Sequence, residues 1–182
     1  MHKGRWSTKC AAFNTFFKDV INNCYPIESV LSIGIRPGQE ANRWNRTLQK
    51  LLPSIQYFEN LEIDEKSVKK AKKSGNQFLN AQLGDVRNID KIYSENSFDL
   101  IFWNQGPEHI KREEWEETFK KLEVVATKVL YLHCPWGKGY DKDTGHLSKS
   151  VRKGEFEVFG FKELVHGVED TRDGGIISYK LV

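Results

Sequence analysis

Three short runs in this chain are almost wholly apolar: SVLSIG (29–34), FDLIFW (98–103) and KVLYLHC (128–134). A strand with one wet face alternates apolar and polar residues, and these runs do not. They read as strands buried on both faces, the situation of a parallel sheet covered by helices on either side. The segments between them carry helical signals. An apolar stripe of Ala11, Phe13, Phe16, Phe17, Val20 and Ile21 predicts a helix over 10–24. A second helix over 39–52 is ended by Pro53, and a third opens at Asp64 as N-cap and closes near Gly75. A fourth spans about 112–123, with a short one near 150–158. Further strands are QYFENLEI (56–63), QFLNAQL (77–83), FKELVHGV (161–168) and GIISYKLV (175–182). The last two leave no room for a crossover helix and must form an antiparallel hairpin. The alternation predicts one α/β domain built on a doubly wound, mostly parallel, seven-stranded sheet. The first 27 residues form a short helical extension to it.

At 182 residues, with 38% hydrophobic and 29% charged residues, one domain with a proper core is expected. A net charge of +3 is too mild to call for nucleic acid. The basic run KSVKKAKK (66–73) reads as a solvated helix face. No apolar run approaches the roughly 20 residues of a membrane span, and MHKGRWSTKC has no apolar signal-peptide core. The three cysteines, Cys10, Cys24 and Cys134, are widely spaced and unpaired by motif, as in a reducing, cytoplasmic setting.

In doubly wound sheets ligands sit at the carboxyl ends of the strands. After the first strand comes GIRPG, whose Gly34 and Gly38 permit a tight turn and close backbone approach. After the second comes Glu62, a carboxylate with two acceptor oxygens suited to the vicinal hydroxyls of a ribose. After the third comes Asp85, where the carboxylate or a neighbouring amide can read an adenine edge. After the fourth comes WNQGPEHI.

In order and spacing, VLSIGIRPG, LEIDEKSVKKAK, GDVRNI, FDLIFWNQGPEHI and KVLYLHCPWG resemble the successive motifs of class I S-adenosylmethionine-dependent methyltransferases, from about residue 28 to the C-terminus. The resemblance implies the strand order 3-2-1-4-5-7-6 with the last strand antiparallel, S-adenosylmethionine as cofactor, and methyl transfer to a small-molecule substrate. By position it assigns Gly34 and Gly38 to the methionine portion, Glu62 to the ribose, Asp85 to the adenine side and Asn104 to the cofactor at the end of strand four. The EHI stretch, Glu108 and His109, resembles the LEH stretch of small-molecule members. Two departures stand in the opening stretch: Ser32 where the family has an acid, and Arg36 where it has a middle glycine. The Arg36 side chain either blocks the pocket, points outward, or pairs with the cofactor's carboxylate.

His109, His133 and His146 are candidate acid–base groups, with His109 the first choice for a hydroxyl acceptor. Trp103, Glu108, Trp136, Tyr140 and His146 are expected on the substrate side, with Trp6 joining them if it folds back over the sheet edge. The glycine-rich stretch 135–148 reads as a substrate-covering loop. Adjacent His133 and Cys134 cannot chelate together from one strand, so no metal site is read from spacing. Two rival functions remain. Asn104 is the first residue of an NPPY-like position, the mark of nucleobase or protein-amide N-methylation; alternatively, Ser32 and Arg36 mark a non-catalytic Rossmann-like module.

Overall fold

A computed structural model describes residues 4–34, 39–74, 76, 80–142 and 145–182. Seven strands form one sheet: β1 (Ser29–Ile33), β2 (Tyr57–Glu62), β3 (Ala81–Leu83), β4 (Phe98–Asn104), β5 (Ala126–Pro135), β6 (Lys162–His166) and β7 (Gly175–Leu181). Their order is β3-β2-β1-β4-β5-β7-β6, as expected, with β7 antiparallel to both neighbours. The helices are α1 (Gly4–Cys24), α2 (Gln39–Leu51), α3 (Glu65–Lys73), the single turn α4 (Ile89–Ile92) and α5 (Trp115–Val125). No described helix is long and apolar enough to cross a membrane.

The period-two geometry of strands sorts the core into two layers. Leu31, Ile33, Ile101, Trp103, Leu130 and Leu132 turn to one face, against Trp115, Phe119 and Leu122 of α5. Val30, Leu100, Phe102, Val129 and Tyr131 turn to the other, against Phe13, Phe16 and Phe17 of α1. This double burial is why the central strands are apolar throughout. On the α1 face the rings interlock: Phe102 stacks on Tyr131 at 4.3 Å, and Phe16 meets Tyr179 edge-on at 5.2 Å. The leading helix is therefore a full part of the core and begins earlier than its stripe predicts.

Elsewhere the elements fall within a few residues of expectation. Asp64 caps α3, its carboxylate accepting the Ser67 amide at 2.9 Å. Gly75 and most of the first half of 77–83 lie outside the described residues, and β3 is described only over its last three. The helix expected near 150–158 does not form. Ser150 and Gly154 adopt positive φ, and Glu163 takes the Gly154 and Phe156 amides at 2.6 and 2.8 Å, leaving only a 3-10 turn at Glu157–Phe159. Backbone donors satisfied by a carboxylate from β6 have no need of helical partners.

Ser32 explains one departure from the resemblance. It lies on the α2 side of β1, fully buried, and its hydroxyl donates to Asn45 Oδ1 at 2.8 Å. Asn45 Nδ2 donates to Asn60 Oδ1 at 3.1 Å, and Asn60 Nδ2 to the Asn80 carbonyl at 2.6 Å. This chain ties α2 to β1, β2 and the entry to β3. Asn45→Ala strands buried polar partners on both sides, so urea unfolding should show a loss of about 2–3 kcal/mol. Adding Ser32→Ala should cost less than the sum of the two single losses, because both residues belong to one network.

Candidate active site

The sheet changes winding direction between β1 and β4, and the candidate residues converge on their carboxyl ends. Gly34 follows β1 with φ of +69°, where a side chain is strained, and its amide donates to the Leu61 carbonyl at 2.9 Å. Arg36 and Gly38 lie outside the described residues. Glu62 closes β2 and is buried, with Oε1 accepting the Asp64 amide at 2.9 Å. The two neighbouring acids thus divide their work: Asp64 serves the helix, while Glu62 accepts a backbone amide at the strand end.

Asp85 is differently employed. Its carboxylate caps the 3-10 turn Val86–Asn88 and clamps the Arg87 guanidinium, whose other arm reaches Glu114 at 3.0 Å. The hydrogen bonds from Arg87 hold the carboxyl below the usual range. What this corner can offer an adenine is chiefly backbone, the second of the two possibilities read from the sequence.

The turn after β4 is the most constrained part of the site. Asn104 ends the strand with Oδ1 buried and lacking any hydrogen-bond partner among the described residues. Gln105 adopts φ of +56°, and its amide donates to the His133 carbonyl at 2.8 Å. Gly106 leaves room for the Trp103 ring; a Cβ there would come within 1.8 Å of Trp103 Nε1. Trp103 is accordingly a buried floor beneath Gly34 and Gly106, not an exposed substrate platform. A 3-10 turn, Pro107–His109, follows, with the Pro107 carbonyl accepting from Trp115 Nε1 at 2.9 Å.

Glu108 in that turn is buried, and neither carboxylate oxygen has a hydrogen-bond partner among the described residues. Desolvation pushes its carboxyl up to about 8. His109 is exposed and bonds the Gly145 carbonyl through Nδ1 at 3.0 Å. A carbonyl can only accept, so Nδ1 carries the proton and Nε2 the lone pair of the neutral ring. The loop after β5 docks here: Leu147 and Ser148 amides donate to the Glu108 carbonyl at 2.8 and 3.1 Å, and Ser148 Oγ to the Ile110 carbonyl at 2.7 Å. His146 thereby meets His109 edge-on, ring centroids 4.9 Å apart.

Trp136 is half-buried after β5, its indole N–H buried and without a partner among the described residues. The side chains of Tyr140 and Trp6 lie outside the described residues. His133 is drawn away from the acid–base set: it is buried, with Nδ1 2.8 Å from Gln105 Nε2 and Nε2 2.9 Å from His166 Nε2. His166 sits on β6, and no spacing rule links it to the site. Sequence reading missed both Gln105 and His166; the QG pair after an apolar run was the signal available for the first.

No protein-family model matches the chain, and no curated protein matches it by sequence. Solved structures do. A SAM-dependent methyltransferase from Archaeoglobus fulgidus matches with a TM-score of 0.62 at 15% identity, covering 98% of this chain and 96% of that one. The fold is the Rossmann-like methyltransferase fold. A second such protein from Aquifex aeolicus matches at 0.54 and 18% identity, over 91% of this chain and 89% of its own. Magnesium protoporphyrin IX methyltransferase from Synechocystis with bound SAH matches at 0.58 and 14% identity, over 94% and 84%. At these identities the likeness is one of fold.

Within this methyltransferase fold, Glu108 is an uncompensated buried acid, and that has a measurable signature. Its folded-state value near 8 stands above the ordinary 4.5, so the folded protein holds a proton that the unfolded chain has released. Stability should therefore be undiminished below about pH 4.5 and fall as pH rises towards 8, by on the order of a few kcal/mol. Melting curves in chelator should show Glu108→Gln gaining on wild type across that window; parallel curves would mean that Glu108 is not desolvated.

Proposed function

We propose that the protein transfers a methyl group from S-adenosylmethionine to an oxygen or nitrogen atom of a small molecule. The observation that carries this reading is Glu62: a buried carboxylate at the end of β2, spared from helix capping by Asp64, beside the switch point of the sheet. Gly34 and Asn104 support it. The positive φ of Gly34 allows backbone to approach a ligand closely, and the orphaned Asn104 Oδ1 is an acceptor for an N–H such as the ammonium of the methionine portion.

The cofactor supplies the electrophilic methyl group; this chain supplies alignment and exclusion of water. Glu62 would hold the ribose hydroxyls, with the amides around Val86 facing the adenine. On this reading Trp103, packed beneath Gly34 and Gly106, would close the floor, and the 145–148 loop, bonded to the Glu108 carbonyl, would cover the acceptor side. For a hydroxyl acceptor, the Nε2 lone pair of His109 takes the proton. Ser32 supports the rival, non-catalytic reading, since the place of the family's acid is occupied by a side chain turned to Asn45.

Binding decides between the two. S-adenosylhomocysteine at a hundredfold excess over its dissociation constant stabilises the folded state by about 2.7 kcal/mol. That should raise the melting midpoint by about 5–10 °C, and Glu62→Ala should remove most of the shift. No shift in wild type at millimolar ligand would favour the non-catalytic module. In a labelled-methyl assay, His109→Ala should lower turnover by roughly 10²–10⁴-fold while leaving cofactor affinity near wild type. Equal turnover would assign His109 a structural role.

A further inference from the structure

Spacing along the chain offers no chelating cluster, yet the fold assembles one. Glu108 and His109 come from the turn after β4 and His146 from the loop after β5, and one ligand atom of each lies within 4.8 Å of the others. Donors around one tetrahedral ion, with bonds of about 2.0–2.2 Å, stand roughly 3–3.5 Å apart. His109 is exposed and His146 half-buried, so the cluster opens to solvent on the side of the two rings.

Glu108 gives the cluster its direction. It is 1% exposed, and neither carboxylate oxygen has a hydrogen-bond partner among the described residues. A buried carboxylate of this kind is costly unless something pairs with it, and a cation is the group that would. The backbone holds the arrangement in place: the Glu108 carbonyl receives the Leu147 and Ser148 amides, Ser148 Oγ reaches Ile110, and Trp115 anchors Pro107. His109 donates Nδ1–H to the Gly145 carbonyl, the kind of outer bond that orients metal-ligating imidazoles and leaves Nε2 for the ion.

We propose that Glu108, His109 and His146 bind a divalent first-row transition-metal ion such as zinc, through three protein ligands. Two imidazoles and one carboxylate favour such an ion over magnesium or calcium, which prefer all-oxygen shells. Three ligands leave a coordination position open. Resting on the methyltransferase reading, that position would face the acceptor side, where the ion would hold a hydroxyl oxygen and lower its pKa, so that the hydroxyl proton passes to solvent water before the oxygen takes the methyl group. The ion would then take over from the His109 imidazole, and oxygen acceptors would be preferred.

Titration of the chelator-treated protein with Co²⁺ tests the site without any S-adenosyl compound. One saturable equivalent with visible d–d absorption is expected, displaced by Zn²⁺ and not by excess Mg²⁺. His146→Ala and Glu108→Gln, each shown to be folded by circular dichroism, should each weaken Co²⁺ binding by about 100-fold or more, as befits loss of a direct ligand. His146 stands on a loop, so its substitution decides the matter if Glu108→Gln fails to fold. Absence of saturable binding, unchanged affinity in His146→Ala, ready displacement by Mg²⁺, or an intense thiolate-to-cobalt charge-transfer band placing the ion on a cysteine would each overturn the proposal. S-adenosylhomocysteine binding in chelator reports separately on the methyltransferase reading.

Discussion

The parallel pairing of β1 with β4, in the register that sets Ile33 beside Trp103, underlies the rest of the structure. Both strands are covered on two faces, so their side chains can only be apolar or, like Ser32, bonded internally. Polar chemistry is thereby forced to the strand ends. The helix after β1, α2, packs on the α1 face, and the helix after β4, α5, packs on the other. The Trp103 ring fills the space beneath Gly34 and Gly106, and so the floor of the site is made by the same residue that ends the core.

Above that floor, precision comes from backbone bonds more than from side chains. Glu62 is aimed by the Asp64 amide, the 3-10 turn after β4 by Trp115, and the loop after β5 by the Glu108 and Ile110 carbonyls. The bond at Glu62 spans two residues and that at Pro107 eight, whereas the bonds to the loop after β5 join segments far apart in the chain. The loop at 145–148 is not a loose cover but a docked piece of the wall, and it is this docking that sets His146 against His109. The buried Ser32–Asn45–Asn60 chain serves a similar end on the opposite face, locking α2 to the sheet just behind the glycine turn.

Much of the fold was legible because its causes are local. Apolar runs announced doubly covered strands, Pro53 ended α2, and Asp64 capped α3. The absent helix near 150–158 shows the limit: its amides were claimed by Glu163, a residue on a strand the helix reading did not consider. At the site, Gly34 and Glu62 stand where strand-end logic put them. Asp85, chosen by the same logic, turned out to be clamped by Arg87, which follows it by two residues yet gave no sign of turning back.

By itself, then, the sequence determined the sheet, its two covered faces and the strand edge at which Gly34 and Glu62 stand, since periodicity and turn chemistry act over a few residues. Only the tertiary structure decided which polar groups are spent and which are left over. Hydrogen bonds between distant segments took His133 into a pair with His166, and the Arg87 that clamps Asp85 onto Glu114. They also closed the wall around Glu108 without giving its carboxylate a partner among the described residues. Such pairings depend on the approach of strand ends and loops far apart in the chain, a distance that no pattern of neighbouring residues encodes.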